Sequence, residues 1–179
     1  MIAKGYAATT LTDVARAVDM KPSHLFYYFK GKDAILLSFF DMAAARLRQH
    51  VHTLEPLPFE SRLDRFADFW FLEELGSMNE LGTMLEFFGL AVHKKELHAA
   101  KLAFDRELKD WIQKYLLADG PRALGDMARI SAEAIYALLM GLLTAAYFDP
   151  EYGYARAHAL FRLSLRQIAG LEAVYGGPK

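Results

Sequence analysis

Apolar positions recur at helical intervals almost from the start of the chain. Leu11, Val14, Ala15 and Val18 fall at i, i+3, i+4 and i+7, which gives one apolar face. Thr10 stands before them as an N-cap, and Asp13, three positions on, completes a capping box with Asp in place of Glu. The pattern stops near Val18. Asp19 falls where the chain must turn sharply, and Asp tolerates the left-handed conformation better than most residues. Lys21-Pro22-Ser23 then opens a second short helix, with Pro22 at its first position. Leu25, Phe26 and Phe29 are its inward positions, while Ser23, His24, Tyr27 and Tyr28 point elsewhere. Gly31 breaks it, and Lys32-Asp33 begin a longer helix that runs to about His52.

Leu54-Glu-Pro-Leu-Pro58 is the clearest interruption downstream, so the pattern predicts two domains, 1–53 and 54–179. Helices are expected over about Glu60–Leu75, ended by Gly76, and over about Asn79–Val92. A charged helix follows over about Lys94–Leu117, stopped by Asp119-Gly120-Pro121. A very apolar helix over Leu124–Phe148 and a last one over Tyr154–Tyr175 complete the chain. No alternating period-2 run occurs, and the expected fold class is all-α.

Composition sharpens this picture. A chain of 179 residues, 54% hydrophobic, supports one sizeable core or two small ones. It has no Cys, which removes disulfide and thiol chemistry and fits a cytoplasmic location. No stretch reads as a signal peptide or a membrane span, so no membrane partner is expected. Net charge is only −1, but it is unevenly placed: residues 1–52 carry seven Lys or Arg against four Asp, and the remainder 14 against 18 acidic groups. A basic head on an acidic body suits a module that touches DNA at one end.

The segment from Gly5 to Leu37 therefore reads as a helix-turn-helix. It resembles the DNA-binding domain of the TetR family of transcription regulators, through Gly5-Tyr6-x-x-Thr9-Thr10, Asp13-Val14-Ala15 and Leu25-Phe26-Tyr27-Tyr28-Phe29-Lys30-x-Lys32-Asp33 in order and spacing. Asp19 stands where the family usually has Gly, and His24 where it has a small residue or Thr. The family also carries a helix before the Gly-Tyr, where only Met1-Ile2-Ala3-Lys4 are present. The expectation is a weakly packed end and lower DNA affinity than for a longer chain.

Thr9 and Thr10 put hydroxyls and backbone N–H groups at a helix start, where anions are favoured, and Lys32 brings full charge to the next. Tyr27 and Tyr28 can reach phosphate and sugar. Base reading falls to the first turn of the short helix, at Lys21, Pro22, Ser23, His24 and Tyr27; Lys21 can donate to guanine and His24 to a purine acceptor. The resemblance implies DNA contact for Ser23, His24, Tyr27, Tyr28 and Lys32. Lys32→Ala is expected to weaken binding to all sequences and flatten its salt dependence, and His24→Ala to change sequence preference more than affinity.

Residues 130–148 are too apolar around their circumference for a surface helix, and Gly141 and Ala145-Ala146 permit close helix approach. The resemblance implies a homodimer through the last two helices, about Ile130–Phe148 and Arg156–Ala169. Two heads would then read a two-fold operator. Phe66, Trp70, Met84, Phe87, Phe88, Trp111, Tyr115, Tyr136 and Met140 are the candidates to line an apolar effector pocket, against the plainer reading that aromatics at helical spacing are core. His93, Glu96 and His98 lack the spacing of a zinc-protease helix, since His98 lies about 140° around the helix from His93. No nucleophile motif or phosphate loop is present, and no enzyme activity, metal site or cofactor is assigned. The reading is a ligand-responsive, dimeric repressor that leaves a pseudo-palindromic operator when a small apolar effector binds. The alternative is an all-helical ligand-binding or adaptor dimer without specific DNA binding.

Overall fold

The computed structural model describes residues 5–74 and 78–171, the side chains of 73–80 excepted. All regular structure among these residues is helical: α1 (Gly5–Ala8), α2 (Leu11–Ala17), α3 (Pro22–Tyr28), α4 (Lys32–Leu54), α5 (Phe59–Asp68), α6 (Met78–Ala91), α7 (Lys95–Trp111), α8 (Gly125–Phe148) and α9 (Gly153–Ile168). Two π-helical extensions, Phe69–Glu74 after α5 and Ile112–Leu116 after α7, were not expected from the 3.6-residue period. The last helix stops at Ile168, earlier than expected. Gly170 takes φ +90, and a Cβ there would come within 3.0 Å of Pro121 and 3.1 Å of Arg122, so only glycine fits this turn. Gly76 and Tyr175, expected at helix ends, lie outside the described residues, as do Met1–Lys4.

The chain forms two compact units that do not follow chain order. The first comprises Met1–Arg48 and Met78–Phe104, the second Gln49–Ser77 and Asp105–Lys179. In the first unit, α2 packs on α3 through Ala15 and Leu25, both buried. Its second cluster centres on Phe40 of α4. The Phe40 ring stacks on Phe87 of α6 at 4.2 Å and meets Phe104 of α7 edge-on at 5.2 Å. Leu36, Leu47, Leu81, Met84 and Leu97 are buried with them.

In the second unit α8 lies along α9, and α5 packs on α9. Phe66 of α5 is the hub. Its ring stacks on Trp111 at 5.7 Å and lies 6.2 Å from both Trp70 and Phe161. Polar contacts tie α5 to α9 around this core: Asp68 with His158 at 2.9 Å, Asp64 with Arg162 at 3.0 Å and with Arg166 at 3.8 Å, and Glu60 with Arg166 at 2.5 Å. Arg62, itself buried, donates to the Ala118 carbonyl and so closes the turn after α7. α8 is, among the described residues, the one helix long and apolar enough to cross a membrane. One face of it is buried in the unit through Ala128, Ala132, Ile135, Leu139 and Leu143. The opposite face carries Met127, Ile130, Ala134, Ala137 and Gly141, all exposed and repeating at three or four residues, with Phe148 exposed two turns further on.

Candidate nucleic-acid interface

The turn between α2 and α3 is built locally. The Thr10 hydroxyl accepts from the Asp13 N–H at 3.1 Å, while the Asp13 carboxylate accepts from the Thr10 N–H at 2.9 Å. The capping box is complete. At the other end of α2, Asp19 takes φ +52, and the Met20 N–H reaches back to the Ala15 carbonyl at 2.9 Å. Lys21 is extended as the N-cap of α3, and Pro22 takes the first helical position.

From α3 only Leu25 is buried. Lys21, Pro22, Ser23 and His24 are exposed, and so are Tyr27 at 83% and Tyr28 at 70%, their rings edge to face at 5.2 Å. Phe26, expected to pack inward, is half exposed. About two turns of helix with its N-cap thus present a cation, two hydroxyl-bearing rings, an imidazole and a serine to solvent on a support fixed by Leu25. An α-helix of this kind fits the major groove, where base edges carry the full donor and acceptor pattern.

The residues flanking α3 are engaged differently. Thr9 is buried and its hydroxyl donates to the Gly5 carbonyl at 2.7 Å. The N–H groups of Thr9 and Thr10, read from sequence as available to an anion, donate to the Tyr6 carbonyl and to Asp13. The Lys32 ammonium donates to the Tyr6 carbonyl at 2.7 Å and lies 4.3 Å from the Tyr6 ring. Tyr6 is gripped further. Its N–H donates to Glu86 of α6, its hydroxyl donates to Asp33, and Lys94 donates both to that hydroxyl at 2.8 Å and to Asp33 at 2.7 Å. The weak packing expected at this end of the chain does not extend to Tyr6. Burial pulls the Asp33 carboxyl upward, but hydrogen bonds from Lys94 and Tyr6 and the charges of Lys94 and Lys32 outweigh it and hold the carboxyl below its ordinary range. The Lys94 ammonium is raised, first by its hydrogen bond to Asp33.

Sequence reasoning missed Glu86 and Lys94 altogether. Tyr6 and Asp33 stood inside the quoted motifs, but nothing in them signalled partners more than 60 residues away.

The nine candidate effector residues are not brought to one place. Met84, Phe87 and Phe88 belong to the Phe40 cluster of the first unit, whereas Phe66, Trp70 and Trp111 form the hub of the second. Tyr115 stacks on Trp111 at 6.3 Å, partly exposed. The Tyr136 hydroxyl donates to Asp105 at 2.6 Å; burial and that hydrogen bond raise its pKa far above the ordinary tyrosine range. Met140 is half-buried on α8. The indole N–H groups of Trp70 and Trp111 are both buried and, among the described residues, have no hydrogen-bond partner. A groove of about 460 Å³ beside α7 and α8 is lined by charged side chains, among them Arg106, Lys109, Asp110, Arg129 and Glu133, and by none of the nine. His93 and His98 are exposed.

A capped helix, a left-handed turn and a short, solvent-facing second helix in an all-α chain define a helix-turn-helix regulator. Two family descriptions match: bacterial regulatory proteins of the tetR family over residues 1–39, and the C-terminal region of BetI-type transcriptional repressors over residues 58–170. The chain belongs to the TetR family, and the protein is a DNA-binding transcriptional regulator. Its fold is similar to that of a TetR transcription regulator from Haloarcula marismortui, with a TM-score of 0.77 at 18% identity over 94% of this chain and 89% of the other. A transcriptional regulator from a Rhodococcus species has a TM-score of 0.77 at 14% identity over 90% and 86%. The TetR family regulator PfmR of Thermus thermophilus has a TM-score of 0.65 at 21% identity over 96% and 93%. No curated protein matches the sequence.

Proposed function

We propose that the protein is a cytoplasmic repressor that binds a pseudo-palindromic operator as a homodimer and leaves it when a small effector binds. The observation that carries the reading is the exposed α3 surface of Lys21, Pro22, Ser23, His24, Tyr27 and Tyr28 on a fixed support. In this reading those six side chains meet DNA, with Thr10 at the neighbouring helix start. Thr9 and Lys32 act mainly by holding the segment in place. Residues 1–53 are the DNA-binding domain and 54–179 the effector-binding and dimerisation domain, with 78–104 packed in the unit that carries the head.

The dimer forms through the apolar outer faces of α8 and α9. Phe148, Ile130, Met127, Leu160 and Leu163 supply exposed apolar surface, and a Cβ at Gly141 would meet nothing within its own chain, which supports close approach by a partner helix. The effector engages the second unit near Phe66, Trp70 and Trp111. Two buried indole donors without partners among the described residues are costly in a finished core, and an acceptor-bearing apolar ligand would satisfy them. The effector favours a dimer whose heads no longer match the half-site spacing, and by linkage DNA weakens effector binding by the same factor.

The test is capture of random genomic fragments at about 0.15 M salt. Enrichment of a short pseudo-palindrome supports the reading. Capture of all fragments equally, or of none, contradicts it.

A further inference from the structure

We propose that Glu86 and Lys94 are positioning residues for DNA binding, acting through their grip on Tyr6. The proposal rests on the reading that α3 binds DNA.

Tyr6 is held on every polar atom it has. Its N–H goes to Glu86, its carbonyl accepts from Lys32 at 2.7 Å, and its hydroxyl lies between Asp33 and Lys94. The two ammonium groups also flank its ring, Lys32 at 4.3 Å and Lys94 at 4.9 Å from the centroid. Two cations and two carboxylates therefore converge on one residue of α1. The backbone leaves no slack beside it. Gly5 takes φ +71, and a Cβ there would come within 3.3 Å of the Glu86 carboxylate.

The consequence runs along short covalent paths. Four residues separate Tyr6 from the start of α2, and Asp33 stands in the first turn of α4. The grip thus pins both ends of the segment that carries α3: α1–α2 before it and the N-terminus of α4 after it. Lys32 and Asp33 lie within this segment. Glu86 and Lys94 do not; both fall in the C-terminal repressor match, residues 58–170. The helix-turn-helix is completed by side chains from outside the motif. Glu86 and Lys94 reach the DNA-reading helix through Tyr6 and Asp33, which makes them positioning residues.

The test uses a 30-base-pair duplex that the wild-type protein selects from a random library, with affinity measured from 0.05 to 0.2 M KCl. Lys94→Met should weaken binding about tenfold, the loss expected for a charged hydrogen bond, while the slope of affinity against salt stays that of wild type. Lys94→Arg should restore most of the affinity. Asp33→Asn and Lys94→Met should be non-additive, since they break the same contact. A general folding defect would lower the active fraction, which titration against excess duplex measures separately. If Lys94→Met loses the fold, Glu86→Gln and Lys94→Arg carry the same comparison. Wild-type affinity in Lys94→Met, or a flattened salt slope that marks Lys94 as a phosphate contact, overturns the proposal. Failure of the wild type to select any duplex would instead overturn the DNA-binding reading on which it rests.

Discussion

Replacing Leu163 by Ala should weaken dimerisation sharply and leave the folded protomer nearly untouched. Leu163 lies on the outer face of α9 and is 65% exposed, so its own chain gains little from it. Full burial of a leucine side chain is worth about 1.5–3 kcal/mol, and the exposed two-thirds corresponds to about 1–2 kcal/mol recovered when a partner covers it. A two-fold interface contains every residue twice, so the dimer loses about 2–4 kcal/mol. That is about a 30- to 700-fold rise in the dimer dissociation constant. Sedimentation equilibrium over nanomolar to micromolar protein measures the constant, and thermal unfolding at high concentration checks that the protomer survives. Operator affinity should fall in step, because a monomer presents one head. A dissociation constant within threefold of wild type would refute the placement of the interface on this face of α9.

Other substitutions probe other levels of the account. His24→Ala should shift the sequence logo selected from a random library while total affinity changes little; equal losses on selected and random DNA would contradict base reading by His24. Gly120→Ala places a Cβ within 2.3 Å of the Phe59 ring and should cost about 1–3 kcal/mol, read as a lower Tm, with DNA specificity unchanged. The Asp33 carboxyl is held below its ordinary value, so its contribution is present above about pH 4 and is lost as the pH falls through its lower folded value. Lys94 is raised, so its contribution is present up to its ordinary value and is lost as the pH rises through the higher folded one. Tyr6 and Lys32 face the same pair, and Glu86 accepts from the Tyr6 N–H beside it. The Tm difference between wild type and Asp33→Asn should therefore be flat between about pH 5 and 9 and shrink as the pH falls below about 4; a difference that does not shrink at all below about pH 4 would contradict the pairing.

What the sequence disclosed about this protein was mostly local. The capping box of Thr10 and Asp13, the left-handed turn at Asp19 and the proline at the head of α3 each depend on neighbours within four residues, and each is present as read. The Tyr6 grip joins residues 80 and 88 positions apart, and no periodicity records such pairings. The π-helical extensions after α5 and α7 widen the turn over only five or six residues, too few to shift an apolar period. Phe66, Trp70, Phe87 and Trp111, offered by their spacing either as pocket lining or as core, are buried. That spacing held no information about which faces meet, and the residues divide between two separate clusters. Gly170 stopped α9 through a positive φ and close contact with Pro121 and Arg122, a constraint set by tertiary packing.

The central claim is that α3 reads sequence in a dimer, and the most direct measurement is binding to a selected operator with one half-site randomised. At about 0.15 M salt the intact duplex should bind two protomers or a multiple of two. Randomising one half should reduce affinity at least a hundredfold, approaching that for unrelated DNA, as expected when specific binding exceeds non-specific by about 10³ or more. Equal affinity for the intact and the half-randomised duplex, or one protomer per intact operator, would contradict the account.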